Sequence, residues 1–166
     1  MVVFDVNQYS PGADVADLFF PISVRDHERI GNILESLKGI SSVSSIASQA
    51  AVESVALLAR QFGLPGLEPR TARQMTDKAW VKAQVSRLKS TSQTFFEFPI
   101  GDRHLENPMS YPFIVKPNRS SGGTGVSIVR SYDEIDGAVE TARHHSADSR
   151  FLWEPYINGR QFDVPI

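Results

Sequence analysis

The sequence predicts an α/β protein with two regions, a partial parallel sheet over residues 1–67 and an α+β segment over residues 68–166. Three observations carry this reading. Short apolar runs alternate with helical periodicities in the N-terminal region, the order that a parallel sheet with crossover helices requires. In the C-terminal region a glycine-rich loop is flanked by β-branched runs, and a capped helix follows them. The motif Gly63-Leu-Pro-Gly66 separates the two regions, placing a helix stop and a turn in four residues.

In the N-terminal region, Val2-Val-Phe-Asp-Val6 and Phe19-Phe-Pro-Ile-Ser-Val24 read as buried strands, with a weaker third run from Val43 to Ile46. Asn7 to Ala13 reads as a loop. Asp26 is placed to cap a helix whose apolar positions Ile30, Ile33, Leu34 and Leu37 share one face, and Gly39 is placed to end it. Val52, Val55, Ala56, Ala59 and Phe62 define a second helix that Gly63 and Pro65 stop. The sheet begins at once with a strand, so one βα unit is missing from the usual order.

The C-terminal region opens at Glu68-Pro69, where proline suits a first helical turn, and continues through Asp77-Lys-Ala-Trp-Val81 to Leu88 as one or two helices. Thr94 to Phe98 reads as a strand, and Gly101 to Ser110 as a polar loop. Ser131-Tyr-Asp-Glu134 has the form of a capping box opening a helix that lasts to about His145. Phe151-Leu-Trp-Glu154 and Gln161 to Ile166 read as further strands, and the serine-rich run from Ser41 to Ser48 as a loop.

Composition narrows the partners. The 166 residues carry 17 basic and 19 acidic side chains in mixed order, for a net charge of -2, so no basic stripe points to nucleic acid. There is no cysteine, which excludes disulfides, thiolate nucleophiles and cysteine-ligated metal and fits a reducing, cytoplasmic compartment. Neither a signal peptide nor a membrane span is legible, because Asp5 interrupts the opening apolar run.

The chemistry concentrates in Phe113-Ile-Val-Lys116-Pro-Asn-Arg-Ser-Ser121-Gly-Gly-Thr-Gly125-Val-Ser-Ile-Val129. A Walker A loop leads from strand to helix and ends in Gly-Lys-Ser/Thr. Here the lysine precedes the glycines and a β-branched run follows them, so the glycines join two antiparallel strands. Gly122, Gly123 and Gly125 allow close backbone approach to a ligand, and successive amides in such a loop form an anion-binding nest. Lys116 adds a charge-assisted contact of about 1.5–3 kcal/mol. Taken alone, the same residues are equally those of a mobile hairpin with a solvated lysine. Other candidates are structural: Trp153 reads as core, and the pair His144-His145 as a complement to a helix C-terminus. His104 and Glu106 share a polar loop without a motif around them.

Taken together, Asp77-Lys78, Ile114-Val-Lys116-Pro117, Ser120-Ser-Gly-Gly-Thr-Gly-Val126 and Trp153-Glu-Pro-Tyr-Ile-Asn-Gly-Arg-Gln161-Phe162 resemble the ATP-grasp superfamily, in its biotin carboxylase-like, carboxylate–amine ligase branch. Residues 1–67 are similar to the domain that precedes the nucleotide fold in these enzymes. The fold this implies is a partial Rossmann-like preATP-grasp parallel sheet followed by an α+β ATP-grasp subdomain, truncated in its last subdomain.

The resemblance further implies that Lys78 and Lys116 contact the phosphates of ATP, with Ser120, Ser121, Gly122, Gly123, Thr124 and Gly125 as the lid over them. It implies an adenine hinge at Glu154, Pro155, Tyr156 and Ile157, and a ribose contact at Gln161, where the family usually has glutamate. Proline fits the hinge through its carbonyl alone. No catalytic residue is assigned. The family forms an acyl phosphate from ATP and a carboxylate with magnesium as the neutralising ion. Its metal ligands lie on strands after the hinge, so Mg2+ is expected in the complete protein while no metal ligand is assigned in this chain, which reads as a fragment. ATP and an unidentified carboxylate are the expected partners, without nucleic acid or membrane, and exposed strand edges allow a homo-oligomer. The alternative function is a non-catalytic nucleotide-binding or interaction module.

Overall fold

A computed structural model describes residues 1–46, 48–87, 95–98 and 109–160. They fall into two compact units, Met1–Thr76 and Asp77–Ile166.

In the first unit β1 (Val2–Phe4) and β2 (Leu18–Phe20) pair in parallel, with Phe4 opposite Phe20 and their rings stacked at 5.4 Å. The crossover between them contains α1 (Pro11–Val15), where the sequence suggested only a loop. Pro11 presets the first helical turn, and five residues are too few to show a helical period. Pro21 follows β2 and offers no amide to a ladder, so the strand is shorter than its apolar run. Asp26 caps α2 (His27–Ser36), its carboxylate accepting from the Arg29 amide at 3.1 Å. Ile30 and Leu34 then meet Ile22 and Leu58 in the core, Leu58 coming from α3 (Val52–Gln61). Arg73 on α4 (Pro69–Met75) ties that helix to Glu53 of α3 at 2.6 Å.

The third strand expected at 43–46 does not form. Val43 packs against the core from irregular chain, whereas Ile46 is 91% exposed. Among four serines, two apolar residues three positions apart give neither alternation nor a continuous run.

The second unit is a four-stranded sheet of β3 (Phe96–Phe98), β4 (Phe113–Pro117), β5 (Ser127–Val129) and β6 (Phe151–Pro155), in the order β3-β6-β4-β5 with every pairing antiparallel. Along the chain α4 closes the first unit and a separate helix, α5 (Lys78–Val85), opens the second, capped by Asp77, which accepts from the Trp80 amide at 2.9 Å. The helix expected to reach Leu88 ends at Val85, with Ser86 and Arg87 already in a turn, and β3 begins at Phe96 rather than Thr94. The strand expected from Gln161 to Ile166 lies outside the described residues.

Alternation along β4 and β6 divides the sheet into two faces. Phe113, Val115, Phe151 and Trp153 form one core with Ile135, Ala138, Val139 and Ala142 of α6 (Ile135–His144). Trp153 is fully buried there, stacked on Phe113 at 4.7 Å. Ile114, Lys116, Leu152 and Glu154 point to the opposite face. The entry to α6 differs from the capping box that the sequence suggested. A tight turn over Tyr132–Glu134 intervenes, the Ser131 side chain makes no cap, and the Glu134 carboxylate instead accepts from the Arg130 amide at 2.7 Å. Among the described residues no helix is long and apolar enough to cross a membrane.

Candidate functional site

The sheet face opposite α6 carries charge where its other side carries aromatic rings. Lys116 stands on β4, and Glu154 stands on the neighbouring strand β6, paired in register with Ile114. The Lys116 ammonium lies 2.7 Å from Glu154 Oε1, and Lys82 from α5 approaches the same oxygen at 3.2 Å. Glu154 is only 6% exposed, and Oε1 has no contact of hydrogen-bond geometry, so charge pairing alone offsets its desolvation.

Lys78 reaches the end of β4 from the first turn of α5. Its Nζ donates to the main-chain carbonyls of Asn118 at 3.1 Å and Ser120 at 2.7 Å. Burial, and then the charge of Lys116, pull the Lys78 amine below its ordinary 10.5, while Asp148, Glu154 and Asp77 act in the other direction. Three lysines, two of them one turn apart on α5, therefore bring positive charge to Glu154 on the sheet and to the end of β4.

The chain between β4 and β5 is the glycine loop, and the flanking pairs Val115 with Ser127 and Phe113 with Val129 make it an antiparallel hairpin. The Thr124 amide donates to Ser121 O at 3.3 Å and the Val126 amide to Gly123 O at 3.2 Å, closing two successive turns. Gly122, Gly123 and Gly125 all have positive φ, at 65°, 71° and 77°. Gly125 is constrained twice, because a Cβ there would lie 2.7 Å from both His145 Cβ and Pro117 Cγ.

Around the root of the loop lies a polar ring. Arg150 pairs with Asp77, with Asp148 at 2.7 Å and with Glu97 at 2.5 Å. Asn118 donates through Nδ2 to Asp148 Oδ2 at 2.8 Å and accepts at Oδ1 from the Ala79 amide at 2.9 Å. Burial pushes the Asp77 and Asp148 carboxyls up, but the hydrogen bonds they accept outweigh it and hold both below 3.8.

The structure thus brings Lys116 and Glu154 together on one face of the sheet, and Lys78 together with the start of the 120–125 loop at the end of β4. Pro155 closes β6 opposite Phe113, while Tyr156 and Ile157 follow it as exposed residues. Gln161, His104, Glu106 and Asp163 lie outside the described residues. Lys82 escaped the sequence reading, although its spacing of four from Lys78 is the signal of a shared helical face. Among the described residues no three His, Asp or Glu side chains form a group able to hold a metal ion. Asp77, Asp148 and Glu97 instead share the Arg150 guanidinium.

A family model for the D-ala D-ala ligase C-terminus matches residues 78–166, more than half of the chain. The chain belongs to that family, within the ATP-grasp superfamily of ATP-dependent ligases. The vancomycin/teicoplanin A-type resistance protein VanA of Enterococcus faecium is 31% identical over 99 residues, which is 58% of this chain and 28% of VanA. The L-amino acid ligase from Bacillus licheniformis superposes with a TM-score of 0.71 at 21% identity, over 95% of this chain and 38% of the ligase. The biotin carboxylase domain of the Hydrogenobacter thermophilus 2-oxoglutarate carboxylase, solved with MgADP, ADP and bicarbonate, superposes with a TM-score of 0.70 at 20% identity, over 95% and 38% of the two chains. The two superpositions establish the same mixed α/β fold. The chain spans well under half the length of each of these proteins.

Proposed function

We propose that the second unit binds ATP as the nucleotide-binding portion of an ATP-dependent carboxylate–amine ligase. The observation that carries this reading is the convergence of Lys78 and Lys116 on the mouth of the glycine loop, Lys78 by direct contact with Ser120 O and Lys116 beside it on the sheet. The two ammonium groups face the β- and γ-phosphates, and the loop of Ser120, Ser121, Gly122, Gly123, Thr124 and Gly125 closes over them. Adenine lies along Glu154, Pro155, Tyr156 and Ile157, with the Pro155 carbonyl accepting from the base and the Ile157 amide donating to it, and Gln161 serves the ribose.

In the reaction, a carboxylate oxygen attacks the γ-phosphorus and the bond to the β–γ bridging oxygen breaks, releasing ADP. An amine nitrogen then attacks the acyl carbon and phosphate leaves, the amine's proton passing to solvent or base. The lysines orient the triphosphate and balance its charge. Magnesium, present in the biotin carboxylase structure, has no ligand group among the described residues.

The test is ATP titration of the purified chain with and without Lys116→Ala, followed by ADP release with ATP, Mg2+ and a panel of carboxylates and amines. Wild-type binding that falls about tenfold or more in the variant supports the phosphate assignment. Unchanged affinity in the variant overturns it. Binding without ADP release under any substrate pair favours the non-catalytic nucleotide-binding module.

A further inference from the structure

We infer that Asn118 is a positioning residue, which, clamped by Asp148 and Arg150, sets the Lys78 ammonium and the root of the glycine loop in fixed relation to each other. The inference rests on the nucleotide-binding reading above and adds a residue to it that no motif singles out.

Asn118 is fully buried, and all four of its polar groups are engaged. Its amide donates to Arg150 O at 2.9 Å, its carbonyl accepts from Lys78 Nζ at 3.1 Å, and its side chain joins the Ala79 amide to Asp148 Oδ2. One residue therefore fastens the first turn of α5, the end of β4 and the start of β6. The side chain also supplies a partner that the helix lacks, since the first-turn amides of a helix have no carbonyl of their own. Asp77 takes the Trp80 amide and Asn118 takes the Ala79 amide, so the two backbone amides that follow Lys78 in the helix are both held by side chains.

The bonds close into a ring. Asp77 binds Arg150, Arg150 binds Asp148, Asp148 binds Asn118, and Asn118 binds Ala79, two residues along the chain from Asp77. The ring is partly buried, and removing one member leaves its neighbours without their partners. Lys78 sits inside that ring in sequence and ends on Asn118 in space. Its long side chain has many rotamers, and holding its backbone and tip together selects among them. The Ser120 carbonyl, two residues beyond Asn118, receives the same ammonium, so any shift of Asn118 moves the charge and the loop mouth together.

The experiment compares ATP and adenosine binding to the full chain in four forms: wild type, Asn118→Ala, Lys78→Met and the double variant. If Asn118 acts through Lys78, Asn118→Ala weakens ATP about tenfold, leaves adenosine within about twofold, and adds no further loss in the Lys78→Met background. Equal losses of ATP and adenosine, or losses that multiply in the double variant, overturn the inference. An Asn118→Ala chain that lacks the wild-type circular dichroism spectrum is replaced by Arg150→Lys, which keeps the charge but cannot fork across its carboxylates, with the same outcomes required. Lys78→Met weakening ATP while the ring variants do not sinks the positioning role alone. A wild-type chain that binds no ATP sinks the nucleotide reading and this inference with it.

Discussion

The Lys78 ammonium donates to the main-chain carbonyl of Ser120 at 2.7 Å, so a helix side chain holds the first residue of the glycine loop. An ammonium has three donors. Two are committed to the carbonyls of Asn118 and Ser120, and the third is left with the full positive charge. Lys78→Met is therefore expected to do two things at once: raise the ATP dissociation constant about tenfold or more, and speed amide hydrogen exchange across residues 121–125. Weaker ATP binding with unaltered loop exchange would show that the lysine acts on phosphate alone.

Glycine substitutions in the loop should differ in cost. At Gly122 a side chain meets open space, so Gly122→Ala bears only the left-handed backbone penalty of about 1–2 kcal/mol. At Gly125 the same penalty is joined by contacts to His145 and Pro117 that no Cβ tolerates. Urea unfolding should therefore place Gly125→Ala below Gly122→Ala in stability, and equal midpoints would refute the packing argument.

Acid should weaken the second unit through its carboxylates. Asp77 and Asp148 are held below their ordinary 3.8 in the folded chain, despite burial, by bonds from the Trp80 amide, Asn118, Ser146 and Arg150. A depressed folded value means that the unfolded chain takes up protons first. The stabilisation is complete above the unfolded value, about pH 4, and is lost as pH falls through the folded ones. Urea midpoints measured from about pH 6 to pH 2.5 should fall in the wild type, and fall less in Asp148→Asn.

Alkali should weaken ATP binding. Burial and the Lys116 charge lower the Lys78 amine from 10.5, so its proton leaves earlier than that of a free lysine. Phosphate needs the ammonium form. Calorimetric titration across about pH 7–10 should show affinity declining toward the upper end, and Lys78→Arg should move the decline upward because guanidinium keeps its charge. A flat profile in the wild type would contradict this.

Trp153→Ala should cost about 3–5 kcal/mol, the range for emptying a large buried aromatic site. Trp153 is fully buried between Phe113 at 4.7 Å and Phe98 at 4.9 Å, and its neighbours belong to facing strands and a helix that cannot all collapse inward. A smaller loss in urea unfolding would mean that the sheet closes over the gap.

Local signals make much of this structure legible in the sequence. The glycine hairpin follows from a lysine and a β-branched run on either side of positive-φ residues, and the caps at Asp26 and Asp77 follow from one carboxylate before a helical period. Apolar content without alternation does not make a strand, which is why 43–46 stays irregular. The Ser131 capping box fails although its serine and glutamate fit the pattern, because a tight turn takes up the intervening residues. The Arg150 ring has no local signal at all. Asp77 and Arg150 are 73 residues apart, and their pairing exists only once β6 has found its place beside β4.

Trp153 and Glu154 are neighbours on one strand, facing opposite sides of the sheet. A slip of β6 by one residue would present the carboxylate to the aromatic core and the indole to the lysines. Strand registry is therefore policed from both sides, by oil on one and by charge on the other. A variant that keeps the core must keep Glu154 beside Lys116, so the alignment of the lysine side of the sheet is inherited from the packing of the aromatic side.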